Sequence, residues 1–160
     1  MGQIFPLCFT AMDVASGRER YLACYRDAWR GAHGSLTGFD ERAIWRSAVM
    51  RAQKSPDALT EAWLEDSFAG VLALDDQRGR WYGAGWIAFC YVAPEHRGKG
   101  VGRALIERAA GHYRALCRRT LRLTVAPGNP AVDFYKHLGF TAVGTEPGAV
   151  EDLIVMERGL

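Results

Sequence analysis

The sequence predicts a single α/β domain over residues 1–160. We expect a mixed, mostly antiparallel central sheet of about seven strands, flanked by about four helices. Apolar residues recur at helical spacing in some segments and form short β-compatible runs in others. Short polar turns join three central runs, which is typical of an antiparallel meander. A glycine-rich loop then leads from the last of these runs into a helix, and such a crossover suits a parallel neighbouring strand.

The first third of the chain predicts one strand and two helices. Gln3–Thr10 is apolar and β-compatible. Met12–Arg30 carries apolar and aromatic residues at helical spacing, with Gly31 and Gly34 ending the helix. A second helical stretch follows Phe39–Asp40. It stops at Ser55–Pro56, because the residue before a proline disfavours helical backbone angles.

The middle of the chain predicts three strands at about Leu59–Leu64, Phe68–Leu74 and Trp81–Val92. Polar turns at residues 65–67 and 75–79 separate them. Because these turns are so short, we expect neighbouring strands to run antiparallel.

The last third predicts a helix after the glycine loop, a strand at Leu121–Val125, a short helix and two closing strands. Asn129-Pro130 is a helix-start signal, with Asn as N-cap and Pro in the first helical position. This helix runs to Leu138 before Gly139 stops it. The closing strands are expected at Phe140–Val143 and Leu153–Arg158.

Composition and patterning argue against several classes of protein. Hydrophobic residues make up 49% of the chain and charged residues 24%, an ordinary globular balance. The longest uncharged apolar stretch, Trp81–Pro94, is shorter than the roughly 20 residues of a membrane helix. Met1–Pro6 shows no basic region followed by an apolar run and a small-residue cleavage site, so no signal peptide is expected. The four cysteines are scattered without Cys-x-x-Cys spacing, so we expect reduced thiols and a cytoplasmic protein.

A basic segment runs from Arg97 to Arg122, with only Glu107 opposing its positive charges. Such an asymmetry can mark a nucleic-acid surface. The net charge of +2 is too small to support that interpretation by itself. A local phosphate ligand explains the segment more simply, so no nucleic-acid partner is expected.

The loop Arg97-Gly98-Lys99-Gly100-Val101-Gly102-Arg103 lies between a predicted strand and a predicted helix. Glycines let backbone amides turn toward a ligand, and a helix N-terminus carries partial positive charge. A plain strand-to-helix turn would also use glycine, but the flanking basic residues favour a phosphate. The loop matches neither the Walker pattern nor the Gly-x-Gly-x-x-Gly of dinucleotide folds.

Two ordered motifs carry a family resemblance. Tyr91-Val92-Ala93-Pro94-Glu95-His96 followed by the glycine loop resembles the signature of the Gcn5-related N-acetyltransferase (GNAT) superfamily. Asn129-Pro130 followed by Phe134-Tyr135 and Gly139-Phe140 resembles the block that ends this fold. The order of predicted elements along nearly the whole chain agrees with the family.

The resemblance implies acetyl-CoA as the coenzyme and no metal. In the family, the strand before the loop splays from its neighbour at a β-bulge, where the pantetheine arm pairs with free backbone groups. The implied pantetheine contacts are Tyr91, Val92 and Ala93. The pyrophosphate is expected on the loop, and Asn129 is expected to support the coenzyme arm or only to cap its helix. The implied loop residues are Arg97, Gly98, Lys99, Gly100, Val101, Gly102 and Arg103.

The resemblance also implies direct attack of an amine on the acetyl thioester in a ternary complex. Tyr135 matches the family tyrosine that protonates the leaving thiolate, although a tyrosine at this position also packs well. The backbone amide of Val92, at the bulge, is the expected oxyanion donor. Cys90 has no suggested partner base for a covalent route, and His96 is expected to pack.

The general base is where the sequence departs from several relatives. The strand Trp86–Tyr91 contains no acid, and Thr124 stands where some protein N-terminal acetyltransferases have Glu. That subfamily is therefore less favoured. The remaining candidates, each also explained as a solvated carboxylate, are Asp40, Glu41, Glu151 and Asp152.

Family acceptors occupy a cleft that corresponds here to residues 29–45 and 145–152. Aromatic walls and nearby acids would suit a partly apolar cationic amine, although core aromatics and surface acids explain the same residues. These residues are Trp29, His33, Phe39, Trp45, Asp40, Glu146, Glu151 and Asp152.

Three interpretations of the function stay open. They are a small-molecule amine acetyltransferase, an enzyme acting on a protein N-terminus or lysine, and a non-catalytic acyl-CoA sensor. The intact Tyr135 favours an enzyme over the sensor. A homodimer is a further expectation from the family.

Overall fold

The computed structural model describes residues 6–160, so Gln3–Phe5 of the predicted first strand lie outside the described residues. Seven strands form one sheet. In chain order they are β1 (Leu7–Ala11), β2 (Leu59–Leu64), β3 (Ser67–Leu74), β4 (Ala84–Val92), β5 (Thr120–Val125), β6 (Thr141–Glu146) and β7 (Leu153–Gly159). The helices are α1 (Arg18–His33), α2 (Glu41–Lys54), α3 (Val101–Ala115) and α4 (Ala131–His137).

The sheet order is β1-β2-β3-β4-β5-β7-β6. Neighbouring strands run antiparallel except β4 and β5, which are parallel. Helix α3 provides the crossover that a parallel pair requires. The predicted mixed, mostly antiparallel sheet with its single parallel neighbour is confirmed.

Two helical layers cover the sheet, and β3 lies between both. Leu72 and Leu74 pack in the same cluster as the apolar residues of α3 and α4. Val71 and Ala73 pack in the cluster formed by α1 and α2. Because side chains alternate along a strand, the apolar residues of β3 contribute to both clusters.

Strand β4 departs from regular pairing on both of its sides. Its register with β3 shifts between Ala73 and Leu74, which pair with Phe89 and Ile87 and leave Ala88 as the extra residue of a bulge. Ladder contact with β5 is confined to residues 84–86 of β4. Beyond that point β5 pairs only with β7, so β4 and β5 separate toward their carboxyl ends.

Helix α1 begins at Arg18 rather than at Met12, where it was predicted. The side chain of Asp13 accepts hydrogen bonds from the Ala15 amide and the Ser16 hydroxyl. This local turn closes the segment before the helix, which is the usual competition between short polar side chains and helical hydrogen bonds.

Strand β4 begins at Ala84, so the prediction of a strand from Trp81 was wrong at its start. Arg80–Tyr82 forms a short 3₁₀ turn, and Trp81 is 91% exposed. Gly79 and Gly83 flank the turn with φ of 73° and 74°, angles that favour glycine.

The last helix and the strand after it are each displaced from their predicted starts. Helix α4 begins at Ala131, with Pro130 as N-cap, one residue later than predicted. Asn129 still satisfies this helix end, because its Oδ1 accepts from the Ala131 amide at 2.9 Å. Strand β6 starts after Phe140, whose amide donates to Tyr135 O to close the helix. Strand β6 extends to Glu146, and almost all of its residues are exposed. No apolar pattern in the sequence therefore indicates where it ends.

Gly85 and Gly111 give a matched test of how α3 packs on β4. A Cβ on Gly85 would lie 2.2 Å from the Tyr113 ring, whereas one on Gly111 would meet nothing within 4 Å. We expect Gly85→Ala to lower the free energy of unfolding by about 1–3 kcal/mol through overpacking. Gly111→Ala should raise it by roughly 0.5–1 kcal/mol, because glycine is unfavourable within a helix. Urea denaturation measures both, and a neutral Gly85→Ala would contradict the packing.

Candidate functional site

The glycine loop adopts a conformation that depends on two of its glycines. Gly98 and Gly100 have φ of 75° and 83°, in the left-handed region that other residues rarely adopt. A Cβ at either position would meet nothing within 4 Å, so the space in front of both is open. The loop therefore presents backbone to an open surface.

Within the described chain, the backbone amides of residues 98–103 are unpaired at the N-terminal end of α3. Ala104 is the first amide of this helix with an intrahelical partner, donating to Gly100 O at 3.0 Å. Within residues 6–160, the amides of residues 98–103 have no hydrogen-bond partner. Unpaired amides at a helix N-terminus suit an anion, since the helix dipole adds positive potential there.

Gly102 brings three elements of the site together. A Cβ on this residue would lie 2.9 Å from the ring of Phe134 on α4 and 3.5 Å from the Val92 side chain at the end of β4. Glycine therefore allows the first turn of α3 to pack close to both. The loop, the end of β4 and α4 meet here.

The end of β4 exposes backbone groups to the gap beside β5. The Ala93 amide donates to Ala69 O on β3 at 2.8 Å. Because successive residues of an antiparallel strand alternate in direction, the amide of Val92 points away from β3 toward the gap. Val92 lies in regular register with Gly70, so the expectation that it sits at the bulge was wrong. The bulge lies at Ala88, where two successive residues turn toward α1 and α2.

Arg97 is the basic residue of the loop that reaches back onto β4. Its Nε donates to the Val92 carbonyl at 3.0 Å, and its Nη2 lies 3.6 Å from Asp27 on α1. Lys99 and Arg103 are exposed. The loop thus combines unpaired amides with cationic side chains, as the sequence predicted.

Tyr135 lies on α4 and is buried in the core cluster that also contacts Val92 and Cys90. Burial raises the pKa of its phenol above the ordinary value, and Cys90 adds to the shift. The hydroxyl therefore keeps its proton in the pH range where proteins work. A protonated phenol can donate to an anionic sulfur.

Cys90 has the properties of a packed thiol. Burial raises its pKa to about 12, so it remains protonated at neutral pH. Cys24, buried on α1, behaves in the same way, with a pKa of about 12. Because the thiolate is the nucleophile, this environment disfavours a covalent route through Cys90.

An aromatic row follows the opposite side of β4, between the sheet and the two first helices. Tyr91 and Phe89 stack with ring centroids 6.2 Å apart, and Phe89 stacks on Tyr25 at 4.2 Å. The row continues across the loop between α1 and α2 to the end of α1. Its members are Tyr91, Phe89, Tyr25, Phe39, Trp29 and His33. Trp45, also predicted to line a cleft, packs instead on Tyr21 beneath the row.

Two of the carboxylates predicted near this cleft support helix α2. Asp40 is the N-cap of α2 and accepts from the Ala43 amide at 3.0 Å. Glu41 accepts from Arg18 at 2.9 Å and from Arg26 at 3.4 Å. These contacts account for both carboxylates without a role in proton transfer.

The other predicted acids lie around the β6–β7 connection. Glu146 pairs with Arg78, and Asp152 is exposed. Glu151 lies 3.3 Å from Nδ1 of His33 at the far end of the aromatic row. The structure therefore brings His33 and Glu151 together, two residues that the sequence pattern assigned to one cleft.

Asp27 was missed by the sequence-based prediction. It accepts a hydrogen bond from the Tyr91 hydroxyl at 2.5 Å. The two residues lie 64 positions apart in the chain, so no local pattern indicates the contact. The contact holds the Tyr91 phenol and, together with burial, raises its pKa above the ordinary value.

The sequence matches the model of the Acetyltransferase (GNAT) family over residues 17–140. This range includes the glycine loop, the end of β4 and α4. The chain belongs to the GNAT family. The resemblance inferred from the two motifs is confirmed.

Similar proteins extend the comparison beyond the GNAT family model. Mycothiol acetyltransferase of Propionibacterium freudenreichii is 29% identical over 114 residues, covering 62% of this chain and 36% of the relative. Streptothricin acetyltransferase of Streptomyces lavendulae is 43% identical over 56 residues, or 34% of this chain and 30% of the relative. The matched region thus spans about a third of these curated relatives.

Solved structures show the same GNAT fold over nearly the whole chain. The PaiA N-acetyltransferase of Thermoplasma acidophilum, solved in complex with coenzyme A, superposes with a TM-score of 0.71 at 17% identity. The match covers 97% of this chain and 99% of that structure. At 17% identity this structural likeness establishes the fold alone.

Two further properties of the described chain bear on its surroundings. None of the helices found in residues 6–160 has the length and apolar character to cross a membrane. Two shallow cavities, of about 220 and 370 Å³, lie beside the β3–β4 turn and do not include the glycine loop or Tyr135.

The cysteine environments predict selective alkylation. Cys8 and Cys117 are exposed free thiols, whereas burial raises the pKa of Cys24 and Cys90 to about 12. At pH 8, iodoacetamide should label Cys8 and Cys117 quickly and should label Cys24 and Cys90 slowly. Labelling of Cys24 and Cys90 should rise with pH, because the thiolate reacts. Peptide mass spectrometry measures this, and rapid labelling of Cys90 at pH 8 would contradict the assigned environment.

Proposed function

We propose that this GNAT protein is an acetyl-CoA-dependent N-acetyltransferase acting on a primary amine, by direct attack in a ternary complex. The observation that carries the proposal is the run of unpaired amides at residues 98–103, beside the gap between β4 and β5. Bound acetyl-CoA would supply the activated acetyl thioester. No metal takes part in the proposed reaction.

The residues present fit such a ligand. Unpaired amides at the start of α3 suit a pyrophosphate, and the open space before Gly98 and Gly100 leaves room for it. Lys99 and Arg103 are exposed beside these amides and would add charge-assisted contacts. The proposed pantetheine contacts are the backbone of Tyr91, Val92 and Ala93, with the Ala93 amide already used by β3. Asn129 would support the coenzyme arm beside its helix-capping role.

Two groups of this chain would serve the chemistry. The Val92 amide, which points into the gap, would donate to the carbonyl oxygen on which negative charge develops. Tyr135 would give its phenolic proton to the departing sulfur, since burial keeps this proton in place until an anion forms nearby.

The acceptor we propose is a small-molecule amine. The aromatic row offers an apolar wall with a carboxylate at each end, Asp27 beside Tyr91 and Glu151 beside His33. The relatives named for mycothiol and streptothricin acetylation agree with a small acceptor. The alternatives are an enzyme that acetylates a protein amine and a non-catalytic acyl-CoA sensor. The homodimer stays a prediction. The free cysteines fit action in the cytoplasm.

Thermal melting with acetyl-CoA tests the proposed coenzyme site. Ligand that binds only the native state at 100 times its Kd stabilises by about 2.7 kcal/mol, so the wild-type midpoint should rise by several degrees. Gly100→Glu places a strained, negatively charged residue among the amides and should abolish the rise. Gly83→Glu is the matched control, because Gly83 has a similar φ of 74° and lies at the start of β4.

Each variant is compared with its own midpoint without ligand, which removes the cost of backbone strain. Tyr135→Phe should keep the ligand-induced rise but lower kcat for acetyl transfer by about 100-fold, the lower range for general-acid catalysis. An unchanged wild-type midpoint at saturating acetyl-CoA would contradict the proposed function. Equal loss of the rise in Gly83→Glu and Gly100→Glu would contradict the site.

A further inference from the structure

Asp27 lies at the edge of the aromatic row, on the exposed side of α1. Its side chain is 53% exposed, yet one carboxylate oxygen takes the Tyr91 hydroxyl at 2.5 Å. The hydrogen bond orients the carboxylate toward the end of β4. The same oxygen, Oδ2, lies 3.6 Å from Nη2 of Arg97.

The Arg97 guanidinium shows how close Asp27 is to the reacting end of β4. One guanidinium donates to the Val92 carbonyl at 3.0 Å through Nε and lies 3.6 Å from Asp27 through Nη2. A single planar group therefore spans the distance between the carboxylate and this carbonyl. Two of the four carboxylates that the sequence proposed as bases, Asp40 and Glu41, support helix α2 instead.

The position that the guanidinium occupies has the three contacts that recognise an ammonium group. Asp27 gives opposite charge, the Val92 carbonyl accepts a hydrogen bond, and the Tyr91 ring lies 5.6 Å from the guanidinium carbon. A carboxylate, a carbonyl and an aromatic face together stabilise a cation. Arg97 thus marks a cation-binding position at the edge of β4, between the gap and the Tyr91 end of the aromatic row.

Arg97 is also positioned to leave this place. Its side chain is 56% exposed and begins the loop whose amides are unpaired. A phosphate on that loop competes with Asp27 for the guanidinium, because phosphate forms strong bidentate pairs with arginine. If Arg97 moves toward the phosphate, the negative charge of Asp27 loses its cationic partner. Another cation can then take the place of the guanidinium.

We propose, building on the function proposed above, that Asp27 selects cationic amine acceptors by holding their ammonium group where the Arg97 guanidinium lies. The acceptor is a primary alkylamine with an apolar or aromatic body, which packs along the aromatic row. It loses one proton to solvent before its nitrogen attacks the acetyl carbon. The C–N bond forms, the C–S bond breaks, and the sulfur takes a proton from Tyr135. The nitrogen's second proton then restores the Tyr135 phenol.

The test compares two acceptors of similar size in steady-state kinetics with acetyl-CoA at pH 7.5. The two acceptors are phenethylamine, which is cationic at this pH, and phenylacetyl hydrazide, which is neutral. A panel of other primary alkylamines, also cationic, is tested beside phenethylamine. Asp27→Asn keeps an oxygen for the Tyr91 hydroxyl but removes the charge. It should lower kcat/KM for the alkylamines by about 10- to 100-fold, the effect of one charge-assisted hydrogen bond, mainly through KM. The hydrazide should react at the wild-type rate.

Control variants separate charge from structure. Glu19→Gln removes an exposed carboxylate of the same helix and should leave both acceptors unaffected. Asp27→Glu restores the charge and should recover part of the alkylamine rate. If Asp27→Asn does not fold, Asp27→Ser provides the same comparison at this half-exposed position.

The outcomes distinguish this inference from the proposed function. A wild type whose melting midpoint ignores acetyl-CoA overturns the proposed function itself. A wild type that binds acetyl-CoA but acetylates none of the alkylamines overturns only the role of Asp27. Equal loss for amine and hydrazide, or no loss for either, also overturns it. Selective loss for the cationic acceptors supports it.

Discussion

The separation of β4 from β5 is the constraint on which the rest of the site depends. Backbone N–H and C=O groups inside a sheet are normally hydrogen-bonded to the neighbouring strand. Here the ladder between β4 and β5 ends after residue 86 of β4, while β3 continues to pair with β4 as far as Val92. The gap leaves strand backbone available for an outside partner, and the α3 crossover directs the glycine loop to the same end of the sheet. Without the separation, β5 would hydrogen-bond the backbone groups at the end of β4.

The two faces of β4 supply the two halves of the proposed reaction. Alternation sends Val92 and Cys90 toward α3 and α4, where Tyr135 is buried, and sends Tyr91 and Phe89 toward α1 and α2. The bulge at Ala88 adds a further residue to the second face. A coenzyme in the gap and an amine over the aromatic row would therefore meet at the edge of one strand. The Arg97 guanidinium touches both halves, which gives the loop a physical connection to the acceptor side.

Most of the fold and half of the site could be predicted because their signals are local. The glycine loop, with its cations and the helix it begins, is contiguous, and the parallel crossover follows from it. Element boundaries failed where a short-range contact overrode periodicity, as when Asp13 closes a turn ahead of α1. Exposed β6 has no apolar alternation to reveal its length. Asp27 could not be found, because its partners Tyr91 and Arg97 are joined to it only by the packing of α1 on β4.

Hydrogen exchange of the backbone amides, followed with and without coenzyme A, tests the central claim most directly. The amides of residues 98–103 have no partner within the described chain and should exchange quickly in the free protein. Saturating coenzyme A should slow exchange there and at Val92, while β1 and β2 remain unchanged. Protection confined to other elements, or no protection at all, would contradict the assignment of this loop and gap as the coenzyme site.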